Sequence, residues 1–188
     1  MSISKERVSF DDEMLILVTP DDEIVGYKPK IDCHLNGGIL HRAFSIFIFN
    51  SNRKLLLQQR SDQKMLWPLF WSNSCCSHPR KGEELEEAIH RRLREELGFD
   101  TQLEYIFKFQ YQASFQNIGS ENELCSVYVG KSDEKPVTNI NEIAEWKYIS
   151  VEELDRQIEQ NPEMFTPWFK QEWKAMRTTY WDKILTLI

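Results

Sequence analysis

Residues 84–98 read Glu-Leu-Glu-Glu-Ala-Ile-His-Arg-Arg-Leu-Arg-Glu-Glu-Leu-Gly. The apolar residues of this stretch recur at the spacing of one helix face: Leu85, Ala88, Ile89, Leu93 and Leu97. Gly98 follows where a residue in the left-handed conformation commonly ends a helix. The stretch therefore predicts a helix over 84–97 that packs one face against a core.

Strand patterns lie on both sides of this helix. Residues 43–49 and 54–59 are apolar runs that flank a turn-like Asn-Ser-Asn-Arg sequence, which predicts a β-hairpin. Further strands are predicted at 13–18, 105–115, 122–130 and 144–149. A second helix is predicted to begin at Ser150, which forms a capping-box pattern with Glu153, and a third at Thr166-Pro167. This mixed order predicts an α+β fold, an αβα sandwich with a mixed sheet.

The composition restricts the class of protein. The chain has 188 residues with 41% hydrophobic and 28% charged side chains, which predicts one globular domain over 1–188. No apolar run approaches the roughly 20 residues of a membrane span, and the N-terminus lacks the apolar core of a signal peptide. Four cysteines are too few for a disulfide scaffold, so we expect a cytoplasmic protein. We also expect a monomer. A net charge of −7 argues against nucleic-acid binding.

Reactive side chains are concentrated in two short segments. Cys76 and His78 lie in Asn-Ser-Cys-Cys-Ser-His-Pro at 73–79, and Glu121 and Glu123 lie two residues apart farther on. In an extended segment alternate residues point to the same side, about 7 Å apart. Together with two more histidines they form a set suited to Mn²⁺, Zn²⁺ or Mg²⁺: His34, His41, His78, Glu121 and Glu123. Each member alone is weak evidence, because single histidines are usually structural and an E-x-E pair is usually a solvated strand face.

Two charged residues contradict the helix pattern. Arg92 and Glu96 project into the apolar stripe of the 84–97 helix. The desolvation of each ionised group buried there costs on the order of several kcal/mol. One interpretation is a buried salt bridge. The other is that Arg92 contacts a bound anion and Glu96 a metal ion, because local patterns are broken most often at functional sites.

Taken together, these residues resemble the type I isopentenyl-diphosphate isomerases, which have the Nudix fold. The resemblance runs from about Lys30 to Trp168. Its motifs are Lys30-x3-His34-x6-His41-Arg-Ala-Phe-Ser, Arg60-x3-Lys64-x2-Trp67-Pro, Trp71-Ser-Asn-Ser-Cys-Cys-Ser-His-Pro, Arg91-Arg92-Leu-Arg-Glu-Glu96-Leu-Gly98, Tyr111, Glu121-Asn-Glu123-Leu-Cys and Phe165-Thr-Pro-Trp168.

The resemblance implies a Nudix-like αβα sandwich and an enzyme that isomerises a small diphosphate substrate through a tertiary carbocation. It implies an acid/base pair, Cys76 and Glu123, with Tyr111 bonded to Glu123 and Trp168 facing the cation. The positions that match substrate contacts are Lys30, Arg60, Lys64, Ser77 and Arg92. The His/Glu set would hold one divalent metal, and Glu96 would hold a Mg²⁺ bound to the diphosphate.

The chain departs from the box of Nudix hydrolases, G-x5-E-x7-R-E-U-x-E-E-x-G-U, where U is a bulky apolar residue. Ser77 replaces the first Gly and Arg92 replaces an acid, which weakens metal-assisted hydrolysis and adds an anion contact. A hydrolase stays an alternative, although it has no need for Cys76. A non-catalytic zinc module with His34, His78, Cys76 and Cys125 as ligands is a second alternative, although it leaves the basic residues unexplained.

Overall fold

The computed structural model of the chain describes residues 4–188. Within these residues the strands are β1 (Met14–Val18), β2 (Ile24–Pro29), β3 (His41–Phe49), β4 (Leu55–Arg60), β5 (Trp71–Ser72), β6 (Cys75–Ser77), β7 (Leu103–Phe115), β8 (Gly119–Lys131) and β9 (Ile143–Ile149). The α-helices are α1 (Lys30–His34), α2 (Leu85–Leu97), α3 (Val151–Gln160), α4 (Pro167–Ala175) and α5 (Trp181–Leu185). A 3-10 turn at Pro162–Met164 precedes α4, and a π-helical turn at Met176–Tyr180 joins α4 to α5. No helix in the described part of the chain is both long and apolar enough to cross a membrane.

The sheet is mixed and is centred on β3. On one side β3 pairs in parallel with β8 along its whole length, from His41 opposite Glu123 to Phe49 opposite Lys131. On its other side β3 pairs antiparallel with β1, β6 and β4 in turn. The long β7–β8 hairpin and the β4–β9 pair extend the sheet in both directions. The predicted mixed sheet is therefore confirmed.

Both faces of β3 are buried, which is the reason for its continuous apolar sequence. Phe44, Ile46 and Ile48 pack in one cluster with the apolar face of α2. Phe47 and Phe49 point to the opposite face and pack with the helices at the C-terminal end of the chain. The sheet therefore lies between two helical layers, as the prediction of an αβα sandwich required.

The helix ends follow the expected local chemistry with small differences. Gly98 ends α2 in the left-handed conformation, at φ 75°, and its N–H donates to Arg94 O. Ser150 caps α3 by accepting a hydrogen bond from the Glu153 N–H. The reciprocal capping box, however, lies at the start of α2, between Glu84 and Glu87. The strands of the predicted hairpin are confirmed, whereas β2, β5, β6 and α1 were not predicted.

Candidate active site

The pairing of β3 with β8 brings the His/Glu set together. His41 begins β3 opposite Glu123, and Glu121 lies two residues earlier on β8. His34 ends α1, and His78 follows β6 directly. The three imidazole rings have centroids 4.8–5.2 Å apart, and one nitrogen or oxygen atom from each of the five residues lies within 4.8 Å of all the others.

The side chains of the cluster are oriented by hydrogen bonds on their outer atoms. Nδ1 of His34 contacts the Lys30 carbonyl at 2.6 Å, and Nδ1 of His41 contacts the Ile39 carbonyl at 2.7 Å. The Nε2 atoms point inward, because Nε2 of His34 lies 2.8 Å from Glu121 Oε2 and Nε2 of His78 lies 2.7 Å from Glu123 Oε1. Backbone carbonyls that hold Nδ1–H leave the Nε2 lone pairs available to a metal ion.

The donor set fits a divalent metal ion. Among the described residues, buried Nε2 of His41 has no hydrogen-bond partner, and buried Oε2 of Glu121 accepts no hydrogen bond of good geometry although His34 Nε2 lies 2.8 Å from it. Burial and the neighbouring charges of His41 and His34 lower the pKa of His78 well below its usual value, so this ring is neutral at pH 7. Burial opposes ionisation of Glu123, but the nearby His41 and His34 rings and the hydrogen bond from Tyr111 together outweigh it, and the pKa of Glu123 is lowered. Neutral imidazoles and ionised carboxylates are the forms that bind metals.

A cavity of about 550 Å³ opens beside this cluster. Its wall includes Cys76, Glu123, Tyr111 and Trp168. The Tyr111 hydroxyl donates to Glu123 Oε2 at 2.5 Å, and burial raises the pKa of the Cys76 thiol to about 12. All four expected catalytic residues therefore line one cavity.

The two adjacent cysteines point to opposite faces of the sheet. Cys76 pairs with Ser45 of β3 and reaches the cavity. Cys75 pairs with Ile46, is fully buried, and packs in the apolar cluster of α2. Only one of the two thiols can contact a molecule in the cavity. Cys125 is also buried, with its sulfur near Ser45 and Glu172, so neither Cys75 nor Cys125 belongs to the His/Glu cluster.

The five positions expected to contact substrate all line this cavity: Lys30, Arg60, Lys64, Ser77 and Arg92. Lys64 and Arg92 both pair with Glu142, and Arg92 Nη2 lies 3.0 Å from Glu142 Oε2. Burial opposes ionisation of Glu142, but the charges of Lys64 and Arg92 keep its pKa at about 2. Burial lowers the pKa of Lys30 to about 8. Glu142 thus pairs with both Lys64 and Arg92, whereas the Lys30 ammonium contacts the Ser9 hydroxyl.

Arg60 has a different environment from the other basic residues. Its N–H groups donate to the carbonyls of Leu66 and Trp67, at 2.9 Å and 3.1 Å. Its guanidinium carbon lies 5.2 Å from the ring centroid of Trp168, and its Nη1 lies 4.0 Å from Cys76 Sγ. The side chain is therefore held between the aromatic wall and the thiol.

Arg92 and Glu96 form the buried salt bridge that was one of the two interpretations. Both residues are 2% exposed, and Arg92 donates to Glu96 Oε1 through Nε at 3.0 Å and Nη2 at 2.5 Å. Glu96 does not line the cavity or join the His/Glu cluster. Its assignment to Mg²⁺ stays a prediction. The fourth histidine, His90, lies outside the cluster and pairs with Asp100 at 2.6 Å.

Several residues of the site have no signal in the sequence. The cavity wall includes Lys5, Arg7, Asn141 and Glu142, which come from the N-terminus and from the turn before β9. Glu172 of α4 is buried behind the site, and burial raises its pKa to about 8. Of these residues only Glu172 has a signal in the sequence, because its carboxylate falls on the apolar face of a helix.

Comparisons with known proteins agree with this geometry. The NUDIX domain family matches residues 39–169. The "Isopentenyl-diphosphate Delta-isomerase 1" of Photorhabdus laumondii is 44% identical over 174 residues, which cover 92% of this chain and 99% of that protein. The isopentenyl-diphosphate Delta-isomerase of Serratia proteamaculans is 46% identical over 158 residues, covering 84% of this chain and 88% of that protein.

Solved structures show the same fold. A crystal structure of a Deinococcus radiodurans protein superposes with a TM-score of 0.66 and 29% identity, covering 79% of this chain and 90% of the other. A MutT protein from Methanosarcina mazei superposes with a TM-score of 0.61 at 15% identity, covering 73% of this chain and 93% of the other, and it supports the fold alone. The predicted Nudix-like sandwich is confirmed. The extent and identity of these matches place the chain in the isopentenyl-diphosphate Delta-isomerase family of Nudix proteins.

Proposed function

We propose that the chain is an isopentenyl-diphosphate Delta-isomerase that interconverts isopentenyl diphosphate and dimethylallyl diphosphate. The observation that carries the proposal is that one cavity of about 550 Å³ is lined by a thiol, a carboxylate and an aromatic wall. Lys30, Lys64 and Arg92 line its basic end. Curated relatives that are 40–46% identical over most of the chain carry this enzyme name.

The reaction adds a proton to one alkene carbon and removes a proton from another carbon, so that the double bond moves. An unactivated alkene is a weak base, and the reaction therefore needs a close acid and a base on the opposite face. Cys76 and Glu123 are the two groups of the cavity that we assign to these steps. In each direction one of the two groups donates a proton and the other accepts one, and their roles are exchanged in the reverse reaction.

The surroundings of Glu123 support a role in proton transfer. The hydrogen bond from the Tyr111 hydroxyl fixes one carboxylate oxygen, and His78 contacts the other. We propose that Tyr111 holds Glu123 in place and exchanges a proton with it. When bound at the three histidines and two glutamates, a divalent metal ion, Mn²⁺, Mg²⁺ or Zn²⁺, lowers the proton affinity of Glu123.

The aromatic wall fits the requirement to protect a tertiary carbocation from water. Trp168 is 3% exposed, and Trp67 packs edge-on against it with ring centroids 5.3 Å apart. An aromatic face stabilises a desolvated cation by about 2 kcal/mol or more. We assign Trp168 to this role.

The basic end is assigned to the diphosphate. Lys30, Lys64 and Arg92 line it, and Ser77 and Arg60 also line the cavity. We further propose that Glu96, which pairs with Arg92, is the residue that would hold Mg²⁺ bound together with the diphosphate. A reducing, cytoplasmic location fits the free state of all four cysteines. The monomeric state and the one-domain organisation stay predictions.

The decisive experiment is incubation of the protein with isopentenyl diphosphate and Mg²⁺, followed by NMR and a phosphate assay. Formation of dimethylallyl diphosphate without phosphate release is expected. Cys76→Ala should lower turnover at least about 10²-fold, as expected for a lost proton-transfer group. Cys75→Ala is the matched control, because Cys75 faces α2, and its effect should be mild. Release of phosphate by the wild-type protein would instead favour the hydrolase alternative.

A further inference from the structure

The N-terminal residues 4–9, called here the N-terminal arm, form part of the cavity wall. Lys5, Arg7 and Ser9 line the cavity beside Lys30 and Arg92. The arm precedes every strand and helix of the fold, and no motif of the sequence includes it. Its position next to the basic end suggests a role in ligand binding.

Hydrogen bonds from neighbouring side chains to the backbone carbonyls of the arm hold it in place. Asn141 Nδ2 donates to the carbonyls of Lys5 and Glu6, at 3.1 Å and 3.2 Å, and Asn139 Nδ2 donates to the Glu6 carbonyl at 2.8 Å. Arg92 Nη1 donates to the Val8 carbonyl at 3.0 Å, and Val8 itself is buried. Because these anchors are carbonyl groups, substituting the side chains of Lys5 or Arg7 leaves them intact.

The anchors also connect the arm to the expected substrate contacts. The Lys30 ammonium donates to the Ser9 hydroxyl, and Arg92 contacts Val8. Asn141 is adjacent in sequence to Glu142, which pairs with Lys64 and Arg92. The arm therefore packs directly against the residues assigned to the diphosphate.

The charges of the arm add to the other positive charges in the cavity. Six lysine and arginine side chains line the cavity: Lys5, Arg7, Lys30, Arg60, Lys64 and Arg92. Lys64 and Arg92 are paired with Glu142, Arg60 donates to two carbonyls, and Lys30 donates to the Ser9 hydroxyl. Within residues 4–188, neither Lys5 nor Arg7 forms an ion pair with a carboxylate; Arg7 Nε donates only to the Ser9 carbonyl.

We propose that Lys5 and Arg7 are substrate-binding residues that contact the diphosphate group from the arm side of the cavity. This inference rests on the proposed function for the identity of the substrate. A diphosphate carries several negative charges, and Lys5 and Arg7 place two further cations without carboxylate partners in the wall of the same cavity. Because both side chains are exposed, they also attract the anion before it binds.

The test is the double variant Lys5→Gln, Arg7→Gln. Its KM for isopentenyl diphosphate and its Kd for inorganic pyrophosphate, measured by calorimetry, should each rise about five- to thirtyfold, from the loss of two partly solvated charge-assisted contacts. The effect on kcat should be smaller than the effect on KM. The dependence of pyrophosphate affinity on salt concentration should also weaken.

Two further variants make the result specific. Lys131→Gln, Lys135→Gln removes the same amount of charge from exposed positions outside the cavity, so its constants should stay within about twofold of wild type. Lys5→Arg, Arg7→Lys keeps both charges and should retain most of the pyrophosphate affinity. Equal pyrophosphate affinity in the Gln double variant and the Lys131, Lys135 control would overturn the role of the arm.

The same measurements separate this inference from the proposed function. Pyrophosphate binding requires no turnover, so it reports on the arm even when no isomerisation is detected. A wild-type protein that binds pyrophosphate through Lys5 and Arg7 but forms no dimethylallyl diphosphate would support the role of the arm in diphosphate binding. The same result would refute the isomerase assignment.

Discussion

The buried pair Arg92 and Glu96 allows a structural role to be separated from a role in binding. In Arg92→Leu, Glu96 loses both N–H donors to Oε1 while it stays 2% exposed. Glu142 keeps Lys64, and the Val8 carbonyl keeps a donor from Arg80 at 3.0 Å. The main defect of the single variant is therefore one uncompensated buried carboxylate.

The size of this defect follows from the cost of breaking a buried ion pair, about 3–5 kcal/mol when only one partner is removed. In a domain of this length each kcal/mol shifts the melting temperature by about 2–4 °C, so Arg92→Leu should melt about 6–20 °C below wild type. The double variant Arg92→Leu, Glu96→Leu removes both charges. It should be close to wild type or more stable by up to about 4 kcal/mol.

The assay combines thermal unfolding with substrate binding on the folded double variant. If the pair is also the site for the diphosphate and Mg²⁺, the double variant should lose activity and the Mg²⁺ dependence of substrate binding. An Arg92→Leu protein as stable as the double variant would refute the electrostatic reasoning. Unchanged Mg²⁺-dependent binding in the double variant would refute the functional assignment and leave a purely structural salt bridge.

The remaining predictions concern the cluster and the groups behind it. Elemental analysis of the purified protein should find close to one tightly held divalent ion, which His34→Ala should lose and His90→Ala should keep; the reverse pattern would show that the ligand assignment is wrong. Tyr111→Phe should lower kcat about tenfold or more while the protein stays folded, because the hydrogen bond to Glu123 is lost. Since burial raises the pKa of Glu172 to about 8, its unfolded form ionises first and stability falls as pH rises from about 4.5 to 8. Glu172→Gln should therefore melt above wild type at pH 8 and equal it near pH 4, and a constant difference across this range would contradict the raised pKa.

Local sequence patterns determined the secondary structure of most of the chain. The spacing of Leu85, Ala88, Ile89, Leu93 and Leu97 predicted α2, and Gly98 marked its end because a left-handed residue there satisfies the last carbonyls. The run from 43 to 49 predicted a strand, and its lack of polar alternation agrees with burial on both faces. The short elements β2, β5, β6 and α1 were missed because so few residues carry no reliable periodicity.

The residue types of the site were also readable from the sequence. The sequence predicted that three of the four histidines and the two glutamates form one metal site. In the structure their ligand atoms lie within 4.8 Å of one another. The position of Cys76 two residues before His78 predicted the same-side arrangement. The resemblance of the motifs, rather than any spacing, supplied the roles of Lys30, Lys64 and Trp168.

Only the tertiary structure decided which of these groups meet. The parallel pairing of β3 with β8 places His41 opposite Glu123, which are 82 positions apart in number, and no local pattern contains that register. The same holds for Glu142, which pairs with both Lys64 and Arg92, and for the N-terminal arm, whose carbonyls accept hydrogen bonds from Asn139 and Asn141. Side-chain periodicity is a property of a single segment. Contacts between distant segments depend instead on how the apolar faces of all segments pack against one another. The charge balance of the cavity depends on such contacts, so it could not be predicted from the sequence.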